Sequence, residues 1–267
     1  MRHLGKGLRA ALPAVLSFTA IVGGAFAPVT AWAGGMIAPV SHSALTKAPR
    51  GGGVVTDAAA VVDDARNLLQ QGRHAEALAR IAPVLAGIDA RGRGHAVLYC
   101  AHDQMEGLAY LGMAAADRQV ELLSAENCDA LFLQAYALTE MGRKGEAVAA
   151  LERLTHLSPS YPHYFVELGY AYRQTGQAEK AWGAYDAARK LAEAPGHAGQ
   201  YRRDHAAALR GLGFLLYDRK DWDGAERAYR DSLIDDPDSR IAQGELAAIA
   251  KKREGGQLLA VNAKQGG

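Results

Sequence analysis

The sequence has no excess of either charge. Its 267 residues contain 30 lysines and arginines against 29 aspartates and glutamates, which gives a formal net charge of +1. Proteins that bind nucleic acid depend on many salt-sensitive contacts to phosphates and therefore carry a basic surface. The near-neutral composition argues against nucleic acid as a partner.

The motifs of common catalytic and nucleotide-binding sites are also missing. No G-x-x-x-x-G-K-[ST] loop, G-x-S-x-G turn or H-E-x-x-H pair occurs. His95 and His102, with Cys100 nearby, could suggest a metal site, but histidines that pack or lie exposed are far commoner. The Asp221–Gly224 stretch resembles the start of a calcium loop yet lacks the later ligands, which favours a turn. We therefore predict no enzyme activity, no cofactor and no metal.

Cysteine is scarce, and the chain has only Cys100 and Cys128. An even number of cysteines permits one disulfide in an oxidising compartment. The alternative is a pair of small buried apolar side chains, which is how unpaired cysteines often behave. Because there is no C-x-x-C motif, the sequence does not favour a catalytic thiol.

The N-terminal 33 residues have the composition of a signal peptide. Arg2, Lys6 and Arg9 precede an apolar run, and Ala31-Trp32-Ala33 offers a cleavage site before Gly34. The alternative is an uncleaved membrane anchor, since the apolar run is about long enough to span a bilayer. We predict cleavage and a periplasmic or secreted protein, with residues 34–56, rich in glycine and proline, as a flexible leader.

What the sequence does contain is one short phrase repeated four times. A small residue follows five positions after a glycine or lysine, and a large apolar residue follows four positions later. The phrases are GRHAEALARI, GRKGEAVAAL, GQAEKAWGAY and KDWDGAERAY, with the small residues at Ala77, Ala147, Ala181 and Ala225. The step from Ala147 to Ala181 is 34 residues, a period typical of stacked helix–turn–helix units.

This pattern resembles the tetratricopeptide repeat family, in an exported bacterial form, over most of residues 58–240. The resemblance implies an all-α, right-handed superhelical solenoid of antiparallel helix pairs with a C-terminal capping helix. In the best-matched unit, the large and small positions are Phe165, Leu168, Gly169, Tyr172, Ala181, Tyr185 and Ala188. Gly72, Gly142 and Gly176 are expected to end the first helix, called helix A, of their units.

The repeat spacing is uneven along the chain. We expect units near 58–91, 128–161, 162–195 and 206–237, a degenerate unit at 92–127, a capping helix at 238–253 and a flexible tail at 254–267. The degenerate unit is predicted as one long helix to about Asp117 followed by a stunted second helix. The extra residues GHAGQYRRDH are predicted to form a loop or to lengthen the next helix A.

Family members commonly bind extended peptides in the concave groove lined by the A helices. The resemblance places these residues on that face: Asp129, Phe132, Tyr136, Thr139, His163, Val166, Tyr170, Arg173, Arg210, Phe214 and Tyr217. Tyr136, Tyr170 and Phe214 share one repeat position, and Arg173 and Arg210 lie beside them. Such a surface suits a peptide with apolar side chains and an acidic group. The rings could instead fill the inner curve of the superhelix, with binding on the convex face or the first unit.

Two functions of different classes follow. The first is a non-catalytic exported scaffold that mediates protein–protein interactions in the cell envelope and binds an extended peptide in the groove. The alternative is a ligand- or polysaccharide-binding accessory or regulatory subunit of an envelope or export machine. The expected partner is a protein or peptide, with no nucleic acid and no membrane span after signal cleavage; the sequence leaves the oligomeric state open.

Overall fold

The computed structural model describes residues 57–113, 118–197 and 199–265 of the chain. Its helices are α1 (Ala58–Gln70), α2 (His74–Gly92), α3 (Gln104–Met113), α4 (Ala125–Glu140), α5 (Lys144–Leu157), α6 (Pro162–Gln174), α7 (Ala178–Glu193), α8 (Arg202–Asp218), α9 (Trp222–Asp235) and α10 (Arg240–Gln265). Two strands, β1 (Val97–Ala101) and β2 (Val120–Ser124), lie between α2 and α4. The predicted signal peptide and leader lie outside the described residues.

The helices form consecutive pairs: α1–α2, α4–α5, α6–α7 and α8–α9. Each pair is joined by a tight turn in which one residue has positive φ, namely Gly72, Gly142, Gly176 or Lys220. In the turn after α4, Gly142 N donates to Thr139 O and Arg143 N to Leu138 O, which satisfies carbonyls at the helix end. The same two backbone bonds recur around Lys220, although a lysine occupies the left-handed position there.

The helix pairs pack closely where a small residue meets an aromatic ring. Gly169 of α6 and Gly211 of α8 lie against the ring of Tyr185 on α7, so closely that a Cβ at either glycine would fall within 2.7 Å and 2.4 Å of it, respectively. Ala147, Ala181 and Ala225 are buried in the same kind of joint. The predicted large residue Phe165 is only half-buried, because the neighbouring Tyr164 occupies the core instead.

Residues 92–127 differ most from the expectation of a long helix and a stunted one. The chain forms β1, crosses over through α3 and returns as β2, which pairs in parallel with β1 so that Val97 lies opposite Val120. The segments HAVLYCA and VELLS are rich in valine, leucine and tyrosine and suit a half-buried pleated surface. We call residues 97–124 the crossover segment. It adds two short strands to an otherwise helical array.

The insertion after α7 agrees with the prediction and forms both alternatives, a loop over residues 194–197 and 199–201 and an extra turn that starts α8 at Arg202. One further boundary differs from that predicted. The C-terminal helix α10 does not end at Arg253 but continues to Gln265, since the predicted tail contains the helix-forming run QLLA. Near its start, Ala242 and Ile249 pack with Ala225 and Tyr229 of the preceding pair.

Candidate functional site

Two rings and one cation predicted for the groove come together between α6 and α8. The guanidinium carbon of Arg173 lies 4.5 Å from the centroid of the Phe214 ring and 5.5 Å from that of Tyr170. Tyr170 and Arg173 are neighbours on one face of α6 because they are three residues apart. We call Tyr170, Arg173 and Phe214 the Arg173 site.

Arg173 is held mainly by rings, and the Tyr185 hydroxyl on α7 and the Glu245 carboxylate on α10 also interact with it. Within the described part of the chain it makes no ion pair, and its buried Nε atom has no hydrogen-bond partner. Cation–π contacts orient a guanidinium while leaving its donors directed elsewhere. A buried donor without an acceptor costs free energy that an incoming acceptor would recover. The arrangement is therefore suited to an anionic group.

Arg210, unlike Arg173, is paired with a carboxylate and is therefore less able to bind an anionic ligand. Its Nη1 atom lies 2.9 Å from Asp236 Oδ2, and its side chain is 16% exposed. The resemblance to the repeat family predicts Arg210 beside the aromatic positions, as a second cation for a ligand. The structure instead uses it to join α8 to the end of α9, which the repeat pattern alone could not indicate because Asp236 lies outside helix A.

Carboxylates lie in the first halves of the A helices that line the predicted groove. His163 Nδ1 lies 2.9 Å from Asp204 Oδ1, and Glu167 lies one turn along α6. Burial alone would lower the pKa of His163, but the bond to Asp204 and the Glu167 charge raise it above 6.5. Burial raises the pKa of Glu167. Asp129 adds a further carboxylate, 3.6 Å from Arg66 on α1.

The other predicted groove residues are distributed along the same helices. Phe132 packs against the rings of His163 and Tyr164, Tyr136 lies edge-on to His74, and Tyr217 lies edge-on to Trp222. Val166 is partly buried against the main core. Thr139 Oγ1 donates to Ala135 O, so its hydroxyl is hydrogen-bonded within α4. The contacts named here are with residues other than Tyr170, Arg173 and Phe214.

An aromatic cluster at the start of α6 was missed in the sequence. Tyr161 stacks on His102 with centroids 4.0 Å apart, and it contacts Tyr164 at 4.7 Å and Tyr201 at 5.8 Å. Burial raises the pKa of Tyr201 to about 12. The density of rings in SYPHYF was the only indication, because Tyr161 precedes the helix and falls outside the repeat positions.

The crossover segment is tied to this cluster by a polar network. Glu106 Oε2 accepts hydrogen bonds from His102 N and Nδ1 at 2.7 and 2.9 Å, and Tyr110 donates to Oε1. His102 Nε2 lies 2.9 Å from Tyr164 Oη. Cys100 and Cys128, both fully buried, form a disulfide between β1 and α4. No group of metal-ligating side chains is found within the ranges the structure describes.

The family comparison agrees with the helix pairs. Residues 132–198 match the model described as tetratricopeptide repeat. This part of the chain consists of tetratricopeptide repeats. The matched range runs from within α4 past the end of α7, so it includes Tyr170 and Arg173. Proteins of this family are generally non-catalytic scaffolds for protein–protein interactions.

Solved tetratricopeptide repeat structures give likenesses of low sequence identity. The first such domain of Spaghetti (RPAP3), bound to an HSP90 peptide, is 17% identical with a TM-score of 0.41, over 48% of this chain and 93% of that one. The Sgt2 domain of Aspergillus fumigatus is 22% identical with a TM-score of 0.42, over 49% and 81%. MamA of Desulfovibrio magneticus RS-1 is 14% identical with a TM-score of 0.48, over 80% and 94%. No curated protein sequence matches the chain.

The described helices include none with the length and apolar character needed to cross a membrane.

Proposed function

We propose that this chain is a non-catalytic scaffold, exported to the cell envelope, that binds an extended peptide in the groove lined by α4, α6 and α8. The observation that carries the proposal is Arg173, a cation held between Tyr170 and Phe214 with no carboxylate of the described residues at ion-pair distance. The rings of Tyr170 and Phe214 offer apolar contact area, and the Arg173 guanidinium offers hydrogen-bond donors to an acidic group.

Charges along the predicted groove can position a peptide. Asp129, Asp204 and Glu167 lie in the first halves of the A helices, and Arg173 lies near the end of α6, where Glu140 acts on Tyr170, and Asp218 and Glu245 act on Tyr229. An acidic group of the peptide would therefore be held at Arg173 itself, with carboxylates on either side of it. Complementary charges of this kind fix orientation and register more than they add affinity.

Export is supported by the N-terminal sequence and by the cysteine pair. Disulfides persist mainly in oxidising compartments such as the periplasm or the exterior of the cell. A buried bond between Cys100 and Cys128 suits such a location. Sequencing the N-terminus of the protein recovered from cell fractions tests this, with Gly34 expected as the first residue of a periplasmic or secreted form. A chain found reduced and with residues 1–33 attached in the cytoplasm would contradict export.

Peptide binding can be tested without knowing the partner. Peptides selected from a random display library on the purified protein should be enriched in acidic and apolar residues. Arg173→Gln should raise the dissociation constant of the selected peptides at least about tenfold, as measured by fluorescence anisotropy, since a charge-assisted hydrogen bond contributes roughly 1.5–3 kcal/mol. Tyr170→Ala and Phe214→Ala should weaken binding as well.

The matched control is Arg219→Gln. Arg219 contacts the Trp182 ring at 5.0 Å and pairs with Glu179, so it combines a ring and a cation outside the groove. Its variant should bind the selected peptides as well as the wild type does. Peptides that bind equally to the Arg173 variant would place binding elsewhere. Stabilisation by an oligosaccharide and by no peptide would favour the accessory-subunit alternative.

A further inference from the structure

The outward face of α3 is apolar and carries no charge. Met105, Leu108, Ala109 and Gly112 form a central stripe, at spacings of three and four residues, and Met105 and Leu108 are 74% and 62% exposed. The acidic residue of the helix, Glu106, points inward to His102. Within the described part of the chain nothing covers this stripe, which is unusual because exposed apolar surfaces of this kind commonly mark an interaction site.

Opposite charges lie at the two ends of this helix. Asp103 immediately precedes α3 and caps it by accepting from Glu106 N at 2.8 Å. In the crossover α3 is antiparallel to β1 and β2. The C-terminal end of α3 therefore lies toward the starts of the strands, where Arg93 and Arg118 are exposed. Neither arginine forms an ion pair with a described residue. Arg91 and Glu121 also lie at this end but pair with each other, so Arg93 and Arg118 give it its positive charge. The helix therefore has one acidic and one basic end with an apolar face between them.

The stripe is complementary to itself in an antiparallel arrangement. If two copies of α3 pair about a two-fold axis between Leu108 and Ala109, then Leu108 of each copy meets Ala109 of the other, and Met105 meets Gly112. Each large side chain thus faces a small one, which is how closely packed helices interdigitate. The same axis brings Asp103 of each copy toward the basic end of the other. An isologous contact requires this self-complementarity.

From the apolar stripe, its charged ends and its alternation of large and small residues, we propose that the occupant of this face is a second copy of the chain, paired antiparallel through α3. The helix has 10 residues, about 15 Å of length, so the buried area is smaller than in a standard stable interface. The dimer is accordingly weak and concentration-dependent. It leaves the Arg173 site, on α6 and α8, outside the contact.

Sedimentation velocity on the purified full chain over a concentration series tests the proposal. The wild type should shift from monomer to dimer, and Leu108→Glu should raise the dissociation constant at least about tenfold, because it buries a charge against its symmetry mate. The control is Ile234→Glu, at a side chain that is 71% exposed on α9. That variant should dimerise like the wild type. Melting curves by circular dichroism establish that each variant is folded.

A charge exchange tests the orientation. Arg118→Asp should weaken the dimer by placing like charges together, and Asp103→Lys in the same chain should restore it. Ala109→Cys supplies a second test, because the two native cysteines are joined and the new thiol is the single free one. A short bismaleimide should cross-link this variant into a dimer through residue 109, whereas Ile234→Cys should stay monomeric.

A wild-type chain that stays monomeric throughout the concentration range would overturn the proposal, whatever else binds α3. So would a dimer that Leu108→Glu leaves unchanged, since it would form through another surface. Dimerisation that survives Arg118→Asp with no gain from the reciprocal change would contradict the antiparallel arrangement. Release of the wild-type dimer by lipid vesicles, but not by buffer, would assign the face to a membrane surface instead.

Discussion

The helix pairs from α4 to α9 and the crossover segment bury their apolar residues by different means. In the pairs, a small residue such as Gly169 or Ala181 lets two helices approach, and a ring such as Tyr185 fills the space beside it. In the crossover segment the small-to-large joint is missing. Backbone pairing of β1 with β2, the Cys100–Cys128 bond and the hydrogen bonds of Glu106 hold it in place.

This difference has a physical consequence for the two surfaces. A helix pair distributes its stability over many similar contacts, as expected for a repeat array. The crossover depends on a few specific polar and covalent contacts, so it can hold α3 with its apolar face outward. Substitutions that remove single contacts, in the helix pairs and in the crossover segment, therefore test this difference through the free energy of unfolding.

The largest effect is expected from the disulfide. Cys100→Ala together with Cys128→Ala removes a cross-link between residues 28 apart, which in the chain-entropy model lowers the free energy of unfolding by about 3–4 kcal/mol. Urea denaturation of the oxidised wild type and the double variant measures this. Equal unfolding free energies would show that the crossover is held by its noncovalent contacts alone.

In the helix pairs a large effect should come from Gly169→Ala. The new methyl would meet Tyr185 Cδ1 at 2.7 Å, so α6 and α7 must separate, at a cost of about 1–3 kcal/mol. Gly183→Ala is the matched control, since its Cβ meets nothing within 4 Å on an exposed face of α7. It should stabilise the protein by up to about 1 kcal/mol. Thermal melting of the two variants should therefore move in opposite directions.

Glu106 makes the stability of the crossover depend on pH. Burial alone would raise the pKa of Glu106, but the hydrogen bonds and charge of His102 and the bond from Tyr110 lower it below 4.5. Because the folded-state pKa is lowered, its contribution is present above the unfolded value and lost as the pH falls through the folded value. The wild type should exceed Glu106→Gln in unfolding free energy by about 1–2 kcal/mol at pH 6.

That advantage should shrink steadily as the pH is lowered below about 4.5, which urea denaturation at several pH values measures. Glu76→Gln on α2 provides the comparison, because Glu76 pairs with Arg73 at an exposed position. Its variant should cost little at any pH, as exposed ion pairs do. A constant difference between the wild type and Glu106→Gln across the acid range would contradict this role.

The smallest expected effect lies in the turns of the helix pairs. Lys220 has φ of 63°, in the region where the equivalent residues are glycines. Lys220→Gly removes the strain of a Cβ there but adds freedom to the unfolded chain, for a net gain of about 0.5 kcal/mol. The reverse change, Gly142→Lys, should cost a similar amount. Chemical denaturation resolves both, and a loss of stability in Lys220→Gly or a gain in Gly142→Lys would show that the turns differ in more than φ.

The helix pairs could be predicted because their pattern is local. The spacing from a turn residue to Ala147 or Ala181 and then to a large residue specifies two helices and their joint. The crossover could not, since the pairing of Val97 with Val120 joins segments that no repeat period connects. Within the groove, sequence position placed Tyr170, Arg173 and Phe214 on one face. Sequence position did not indicate the ion pair between Arg210 and Asp236, because that contact depends on the packing of α8 with α9.

Tyr185 has a consequence for the groove that follows from its two neighbours. Its ring touches Gly169 on α6 and Gly211 on α8, and Arg173 and Phe214 lie about one turn further along those same helices. The Tyr185 side chain on α7 therefore sets the spacing between α6 and α8, and with it the distance between the Arg173 guanidinium and the Phe214 ring. Ligand selectivity could be retuned at residue 185 without altering any residue that a ligand would touch.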